Sequence, residues 1–239
     1  MVRVERLLAN RGYCARSQAA WFLREHEVAS SSRRIGRPAD RVDPSTVTID
    51  GEPIDPEFLL IAMNKPAGVT CSHKEWTRDG DKLIYELLPE RWQSRDPVIA
   101  TVGRLDKDTT GLILLTDDGQ LLHRLTSPKK HVPKVYEVTL RDPITGREPA
   151  TFAAGTMMLE GEDKPLLPAE MLPTGTNTCQ LTLHEGRYHQ VKRMFAALGN
   201  EVTALNRVAF GALRLGSGTL VSLPPGQWMT VTEAEITAG

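Results

Sequence analysis

The segment Thr101–Gly119, TVGRLDKDTTGLILLTDDG, gathers the residues of this chain best suited to chemistry. Arg104, Asp106 and Asp108 alternate along it, so in an extended backbone all three would project to one side. Thr109, Thr110 and Gly111 read as a turn, and Leu112 to Leu115 form a short apolar run of the kind buried on both faces of a sheet. A carboxylate beside a guanidinium at the lip of a buried strand can serve as nucleophile or base. A surface hairpin with a solvated ion pair uses the same residue types, and the segment by itself leaves both readings open.

A second group of candidates lies in HEGRYHQVKRMFAALGN, residues 184–200. Val191, Met194, Phe195 and Leu198 recur at i, i+3, i+4 and i+7, the core face of a helix that ends at Gly199-Asn200. His189, Lys192 and Arg193 lie off that face near the helix start, where an anion is favoured: a phosphate, or the carboxylate of Asp106. Asp117-Asp118 has the chemistry of a magnesium ligand, but a turn capping the helix Gln120–Leu125 explains it better. His123 and His131 have no partner at metal spacing, so no metal site is expected. Tyr136 opens the strand KVYEVTL after a basic loop, so its ring suits either the core or a stacking platform for a base.

The elements that must carry these residues follow from periodicity and turn signals. Val4, Leu7 and Leu8 predict a first helix stopped by Gly12, and a second is predicted over Ser17–His26, burying Ala20, Leu23 and the pair Trp21–Phe22. Asp50-Gly51 marks a hairpin turn. Pro53 to Pro56 reads as a linker, after which Leu59-Leu-Ile-Ala-Met runs into the turn Asn64-Lys-Pro-Ala-Gly. A helix is expected around Leu83 to Leu88. The sequence has 239 residues, enough for one large domain or two smaller ones.

Net charge is −1, which does not favour a polyanion partner, but its distribution does. Residues 1–42 hold nine arginines against four acids, and residues 123–134 carry Arg124, Lys129, Lys130 and Lys134 with no acid. No stretch reaches the roughly 20 apolar residues of a membrane helix, and the first residues lack a signal-peptide pattern. Cys14, Cys71 and Cys179 are scattered and never form C-x-x-C, the usage expected of reduced thiols in a cytoplasm.

Taken in order, NKPAGV, GRLDKDTTGLILLTDDG, KVYEVTL and EGRYHQVKRMFAALGN resemble the motifs of RNA pseudouridine synthases that carry an N-terminal S4 domain. FGALRL, LPPGQW and the Thr232-x-x-Glu235 capping box fit the same family. Leu7-Leu8-Ala9, Gly12, Ala15-Arg16-Ser17 and Ala19-Ala20 resemble the S4 RNA-binding module. The wording Gly-Arg-Tyr-His-Gln-Val-Lys-Arg-Met-Phe is similar to the RsuA-type branch, which acts on small-subunit (16S) ribosomal RNA.

The resemblance implies an α+β chain with two parts. Residues 1–58 would form an S4-like RNA-binding module, and residues 59–239 a catalytic domain on a mixed, mostly antiparallel sheet. The implied reaction breaks the N-glycosidic bond of a uridine, turns the uracil and reattaches it through C5, with no redox change and no cofactor. Asp106 matches the family's essential aspartate. Lys192 matches the basic partner expected to pair with it in a buried ion pair, whose loss would cost about 3–5 kcal/mol. Tyr136 matches the tyrosine that stacks on the target base. Arg104 is expected where the nucleotide is everted, Leu205 as an apolar wall beneath the tyrosine, and Arg187, Arg193, Lys129 and Lys130 as phosphate contacts. The partner is ribosomal RNA, free or in an assembling particle, met by a monomeric cytoplasmic enzyme with no membrane. Action on 23S rRNA, a non-catalytic RNA-binding assembly factor, and a metal-dependent phosphoesterase using Asp106, Asp108, Asp117 and Asp118 are the competing readings.

Overall fold

The protein is described by a computed structural model over residues 1–72, 80–127 and 130–237. Two compact units divide the chain: Met1–Leu59, Leu88–Ala100 and Thr116–Gly119 form the first, and Leu60–Leu87, Thr101–Leu115 and Gln120–Gly239 the second.

In the first unit, β1 (Val2–Arg3) leads into α1 (Val4–Asn10), and a 3-10 turn at Arg16–Gln18 leads into α2 (Ala19–Glu25). The strands β2 (Val28–Ser30), β3 (Arg33–Arg34), β4 (Arg41–Val42), β5 (Val47–Ile49) and β6 (Glu52–Pro53) follow, four of them in a sheet of order β3-β2-β5-β6 while β4 pairs with β1. Leu7, Leu8, Phe22, Leu23, Val28 and Ile49 close a single core between helices and sheet. Gly12 ends the first helix as expected: its φ is +78°, and a Cβ there would collide with the carbonyl of Arg91. Asp50 and Gly51, at φ 52° and 87°, make the predicted hairpin turn. Two expectations fail in detail. Ala19 rather than Ala20 is buried, and only Phe22 of the aromatic pair is, whereas Trp21 is 52% exposed, because consecutive helical residues cannot share one face.

Asp117 is neither a metal ligand nor a helix cap. Its Oδ1 accepts from the Leu59 amide at 2.6 Å and its Oδ2 from Arg95 Nε at 2.6 Å, and both side chains are essentially closed to solvent. Arg95 also donates to the carbonyls of Pro56 and Glu57 at 3.1 and 3.0 Å. Asp117 and the segment Pro56–Leu59, which begins where the predicted linker Pro53–Pro56 ends, are therefore joined within this unit through the buried Asp117–Arg95 pair.

The second unit holds β7 (Leu60–Lys65), β8 (Val69–Thr70), β9 (Lys82–Leu83), β10 (Ala100–Thr101), β11 (Thr110–Thr116), α3 (Gly119–Thr126), β12 (Lys134–Leu140), α4 (Glu148–Ala153), β13 (Glu170–Pro173), β14 (Thr178–Leu183), α5 (Gln190–Ala196), β15 (Val202–Phe210), β16 (Leu213–Arg214), β17 (Trp228–Thr230) and α6 (Glu233–Thr237). Its main sheet runs β13-β14-β12-β15-β11-β7-β17, with β10 beside β11 and β16 beside β15. β11 pairs with β15 in parallel, while β12 pairs antiparallel with both β14 and β15. The sheet is mixed and mostly antiparallel, as expected. Leu112 to Leu115 are all 0% exposed, which is the two-sided burial their unbroken apolar run predicts. Leu112 and Leu114 face a core with Ala62, Phe210 and Leu213. Thr232 and Glu235 form the capping box of α6: the Thr232 amide donates to Glu235 at 2.7 Å and the Glu235 amide to Thr232 Oγ1 at 3.4 Å.

Gly111 is not a turn residue but lies inside β11 at φ +102°, and a Cβ would come within 2.3 Å of the Arg207 carbonyl. Two backbones approach there more closely than any side chain allows. Residues 83–88 contain a 3-10 helix at Ile84–Leu87 rather than an α-helix.

Replacing Asp117 by alanine removes the carboxylate hydrogen-bonded to the buried Arg95 guanidinium and leaves only Asp55, 3.7 Å away, so the loss should be about 3 kcal/mol, read as a lowered midpoint in urea. A midpoint equal to the parent's would show that the pair does not hold this region together.

Candidate active site

Residues 102–109 form a loop rather than the extended run that alternation suggested: the Thr109 amide donates to the Asp106 carbonyl at 3.1 Å, and β11 begins only at Thr110. The loop is held from below by Lys65, which is 0% exposed at the end of β7. Its Nζ donates to the carbonyls of Thr109, Pro66 and Lys107 at 2.7, 3.1 and 3.2 Å. The Gly68 amide adds a bond to Lys107 O at 2.8 Å. The Asn-Lys-Pro-Ala-Gly turn is thus a clamp, in which one ammonium satisfies its three donors on backbone flanking Asp106. Burial holds the Lys65 pKa below its ordinary value, opposed in part by Cys71, Asp108 and Asp106.

The opposite wall is the segment between β14 and the second turn of α5. Lys192 Nζ lies 2.7 and 2.8 Å from the two oxygens of Asp108 and 3.3 Å from Asp106 Oδ2. His189 Nε2 lies 3.3 Å from Asp106 Oδ1. The expected partnership of Lys192 with Asp106 is therefore shared: the ammonium sits nearer Asp108, and the carboxylate at 106 is met from two sides. Partial burial pulls the Lys192 pKa down, but its bond to Asp108 and the two nearby negative charges outweigh this and hold it above the ordinary lysine value. The same hydrogen bond holds Asp108 below the ordinary carboxylate range. The pair is not buried as expected, since the side chains of Lys192 and Asp106 are 28% and 27% exposed and that of Asp108 is 73% exposed.

His189 has left-handed backbone, φ 49° and ψ 34°, and its ring stacks on that of Tyr188 with centroids 3.8 Å apart. This conformation disfavours a non-glycine residue, so the surroundings must impose it. Arg187 and Arg193 do so. Arg187 bonds Glu185, Glu162 and the carbonyls of Lys164 and Pro165, while Arg193 bonds Glu162 and the carbonyls of Tyr188 and Glu160. Both guanidiniums are thus engaged with the protein itself.

Between the walls lies a cleft of ≈ 580 Å³ whose lining includes Arg104, Asp106, Tyr136, His189, Lys192 and Leu205. Its floor is the sheet. Tyr136, Val138 and Leu140 point to one face of β12 and are buried, as their alternation predicts. Tyr136 stands opposite Arg207 in the β12–β15 ladder and Val138 opposite Leu205. Sequence reasoning brought Asp106, Tyr136, Lys192, Arg104 and Leu205 to one place, and they line one cavity. Lys130 is exposed on the connection from α3 to β12 and is not among the lining residues, although its amide donates to the carbonyl of Ser127, which is; Lys129 lies outside the described residues. Among the described residues there is no cluster of His, Cys, Asp or Glu able to hold a metal ion.

Residues 59–197 match the RNA pseudouridylate synthase family. The chain belongs to that family. Ribosomal small subunit pseudouridine synthase A of Pasteurella multocida is 38% identical over 98% of both chains, and that of Escherichia coli 36% identical over 98% of both. An uncharacterized RNA pseudouridine synthase of Bacillus subtilis is 38% identical over 98% of this chain and 97% of its own. A solved pseudouridylate synthase is 36% identical, covers 99% of this chain and 98% of its own, and superposes with a TM-score of 0.66.

Within this pseudouridine synthase, Lys65, Arg207 and Lys134 were not singled out as site residues from sequence, whereas His189, expected beside an anion at the helix start, does meet Asp106. Lys65 lay in a motif that a turn explains, and Lys134 was absorbed into a basic tract. Arg207 carried one readable signal, a charge directly before the apolar run Val208-Ala-Phe of its strand.

Lys192→Ala should lower the catalytic rate at least ~10²-fold, as removal of a charge aimed at a reacting centre does. Because the ion pair is partly exposed, stability should fall by less than about 1 kcal/mol, not by the amount a buried pair would lose. Rate and urea midpoint measured on the same preparation check both; a large stability loss would return the pair to the buried class. Burial, aided by the charge of Arg207, pushes the Lys134 pKa down to about 8. A folded pKa below the unfolded one means that the unfolded chain binds more protons between pH ~8 and ~10.4. The stability of the parent relative to Lys134→Met should therefore rise over that interval, with the Lys134 penalty fully present below it. A difference independent of pH would contradict the burial.

Proposed function

We propose that this pseudouridine synthase isomerises a uridine of small-subunit ribosomal RNA, with Asp106 as the carboxylate that acts at the ribose. The observation that carries the reading is the meeting of Asp106, Lys192 and His189 beside Tyr136 in one cleft. Lys192 and His189 orient the carboxylate from two sides, and an aromatic ring within the same cavity offers a face on which an everted base can stack. Leu205 closes the wall next to the tyrosine, and exposed Arg104 at the cleft is placed to meet the backbone of the everted nucleotide. The small-subunit assignment rests on the small-subunit pseudouridine synthases of Pasteurella multocida and Escherichia coli, which align over nearly the whole chain.

Residues 1–58 are proposed as an S4-like module that grips RNA outside the cleft. Exposed Arg33, Arg34, Arg37 and Arg41 support that role, since cations on one small unit attract a phosphate backbone without reading bases. Lys130 is the described residue of the second basic tract best placed for the same task. Arg187 and Arg193, several of whose donors are taken by protein oxygens, support the active site by holding its wall. Among the described residues no helix is long and apolar enough to cross a membrane. Three free cysteines fit an enzyme working as a monomer in a reducing cytoplasm.

Purified protein incubated with small-subunit or large-subunit rRNA transcripts, followed by chemical mapping of pseudouridine, tests the assignment. Pseudouridine in the small-subunit transcript alone is expected; conversion confined to the large-subunit transcript, or in neither, overturns it.

A further inference from the structure

The floor of the cleft holds two cations that the reading above does not use. Arg207 is 2% exposed, and among the described residues its one side-chain hydrogen bond is from Nε to the Leu112 carbonyl at 2.6 Å. Its Nη2 is buried with no hydrogen-bond partner among the described residues. Lys134 donates to the Val132 carbonyl at 2.9 Å and, among the described residues, meets no carboxylate at ion-pair distance; the same is true of Arg207. Both charges lie against one ring: Lys134 Nζ is 5.4 Å and Arg207 Cζ 5.5 Å from the centroid of Phe210. Both residues line the cleft, and Arg207 sits directly across the ladder from Tyr136.

A buried and a half-buried cation side by side, with no carboxylate at ion-pair distance among the described residues, repel each other and lose hydration, so they oppose folding. The charge of Arg207 is one cause of the lowered Lys134 pKa, second to burial, and only Glu185 acts in the other direction. A sheet floor has no structural need of such a pair, because apolar side chains would fill the same space at less cost. The arrangement does suit an anion that arrives in the cleft.

Resting on the proposed isomerisation, the reaction supplies one. The N1–C1′ bond breaks with its electron pair left on the uracil ring, delocalised over N1, O2 and O4. The C5–C1′ bond then forms from the ring's electrons, C5 loses its proton and N1 gains one, so atoms and charge balance. We propose that Arg207 and Lys134 form a cationic floor that receives a carbonyl oxygen of the departing uracil anion and keeps the ring in the cleft while it turns. A base stacked on Tyr136 lies beside Arg207 on the same sheet face, so its edge meets these donors without crossing the cavity. Donors set in advance where charge develops, within a water-poor site, stabilise the transition state more than the bound substrate. They also answer how free uracil is kept from escaping between the two bonds.

The test uses the full chain with Lys134→Met and Lys134→Arg, with Arg207→Met as a second site. Single-turnover rate, RNA affinity across salt and thermal midpoint are measured on the RNA that the parent modifies. Lys134→Met and Arg207→Met should each lose at least ~10²-fold in rate, with Kd within about threefold and an unchanged salt slope. The midpoint of Lys134→Met should be equal or higher, and Lys134→Arg should recover most of the rate. A Lys134→Met rate equal to the parent's overturns the proposal. So does a rate loss matched by weaker RNA binding and a shallower salt slope, which would make Lys134 a phosphate contact. If the parent itself forms no pseudouridine, the proposed function fails; if the parent is active and the variants match it, only the cationic floor does.

Discussion

The structure depends on keeping a short loop with a carboxylate at its centre in one conformation, against the pull of water and of its own flexibility. Loops are the usual home of functional groups and the usual place where order is lost. Here order is imposed from beneath by the Lys65 ammonium, which draws the carbonyls of residues 66, 107 and 109 onto a single point. From the side it is imposed by the close contact of Gly111 with β15. Lys192 and His189 then meet the carboxylate from a wall that Arg187 and Arg193 brace through Glu162. Each brace uses a charge or a backbone contact that the packing of apolar side chains does not provide.

The division of labour among the cations follows from their surroundings. Lys65, Arg187 and Arg193 each spend three or four bonds on protein oxygens and act as braces. Lys192 shares two carboxylates at the cleft, and Arg207 keeps a buried Nη2 without a partner among the described residues. A basic residue near an active site is therefore not evidence of a phosphate contact until its acceptors are counted. That count separates the bracing arginines of α5 and the loop before it from the exposed arginines of the first unit. The same count marks Arg207 and Lys134 as charges the fold holds at a cost, a pattern found where stability is traded for activity.

Much of this was legible in the sequence because the governing signals are local. The unbroken run Leu112 to Leu115 declared two-sided burial, Asp50-Gly51 a hairpin, Thr232-x-x-Glu235 a helix start, and the alternation Tyr136, Val138, Leu140 a buried strand face. Asp106, Tyr136 and Lys192 were brought together by motif order, and the structure places all three around one cleft. What was not legible required knowing which distant atoms meet. Nothing near Asp117 announces Arg95, and nothing near Lys65 announces the carbonyl of Thr109. Gly111 was read as a turn because glycine signals positive φ without saying whether a turn or a close approach demands it. The burial of the Lys192 pair was overestimated because a helix start at a cleft rim looks the same in sequence as one in a core.

The central claim is that the carboxylate at position 106 performs the chemistry and the rest of the cleft serves it. Asparagine keeps its size and its hydrogen-bonding reach while removing the charge. Single-turnover pseudouridine formation by Asp106→Asn, measured with RNA affinity on the same sample, is the most direct test. The account predicts no product on any timescale that the parent defines, with Kd within about threefold of the parent. Product formed at a rate within about tenfold of the parent would contradict it.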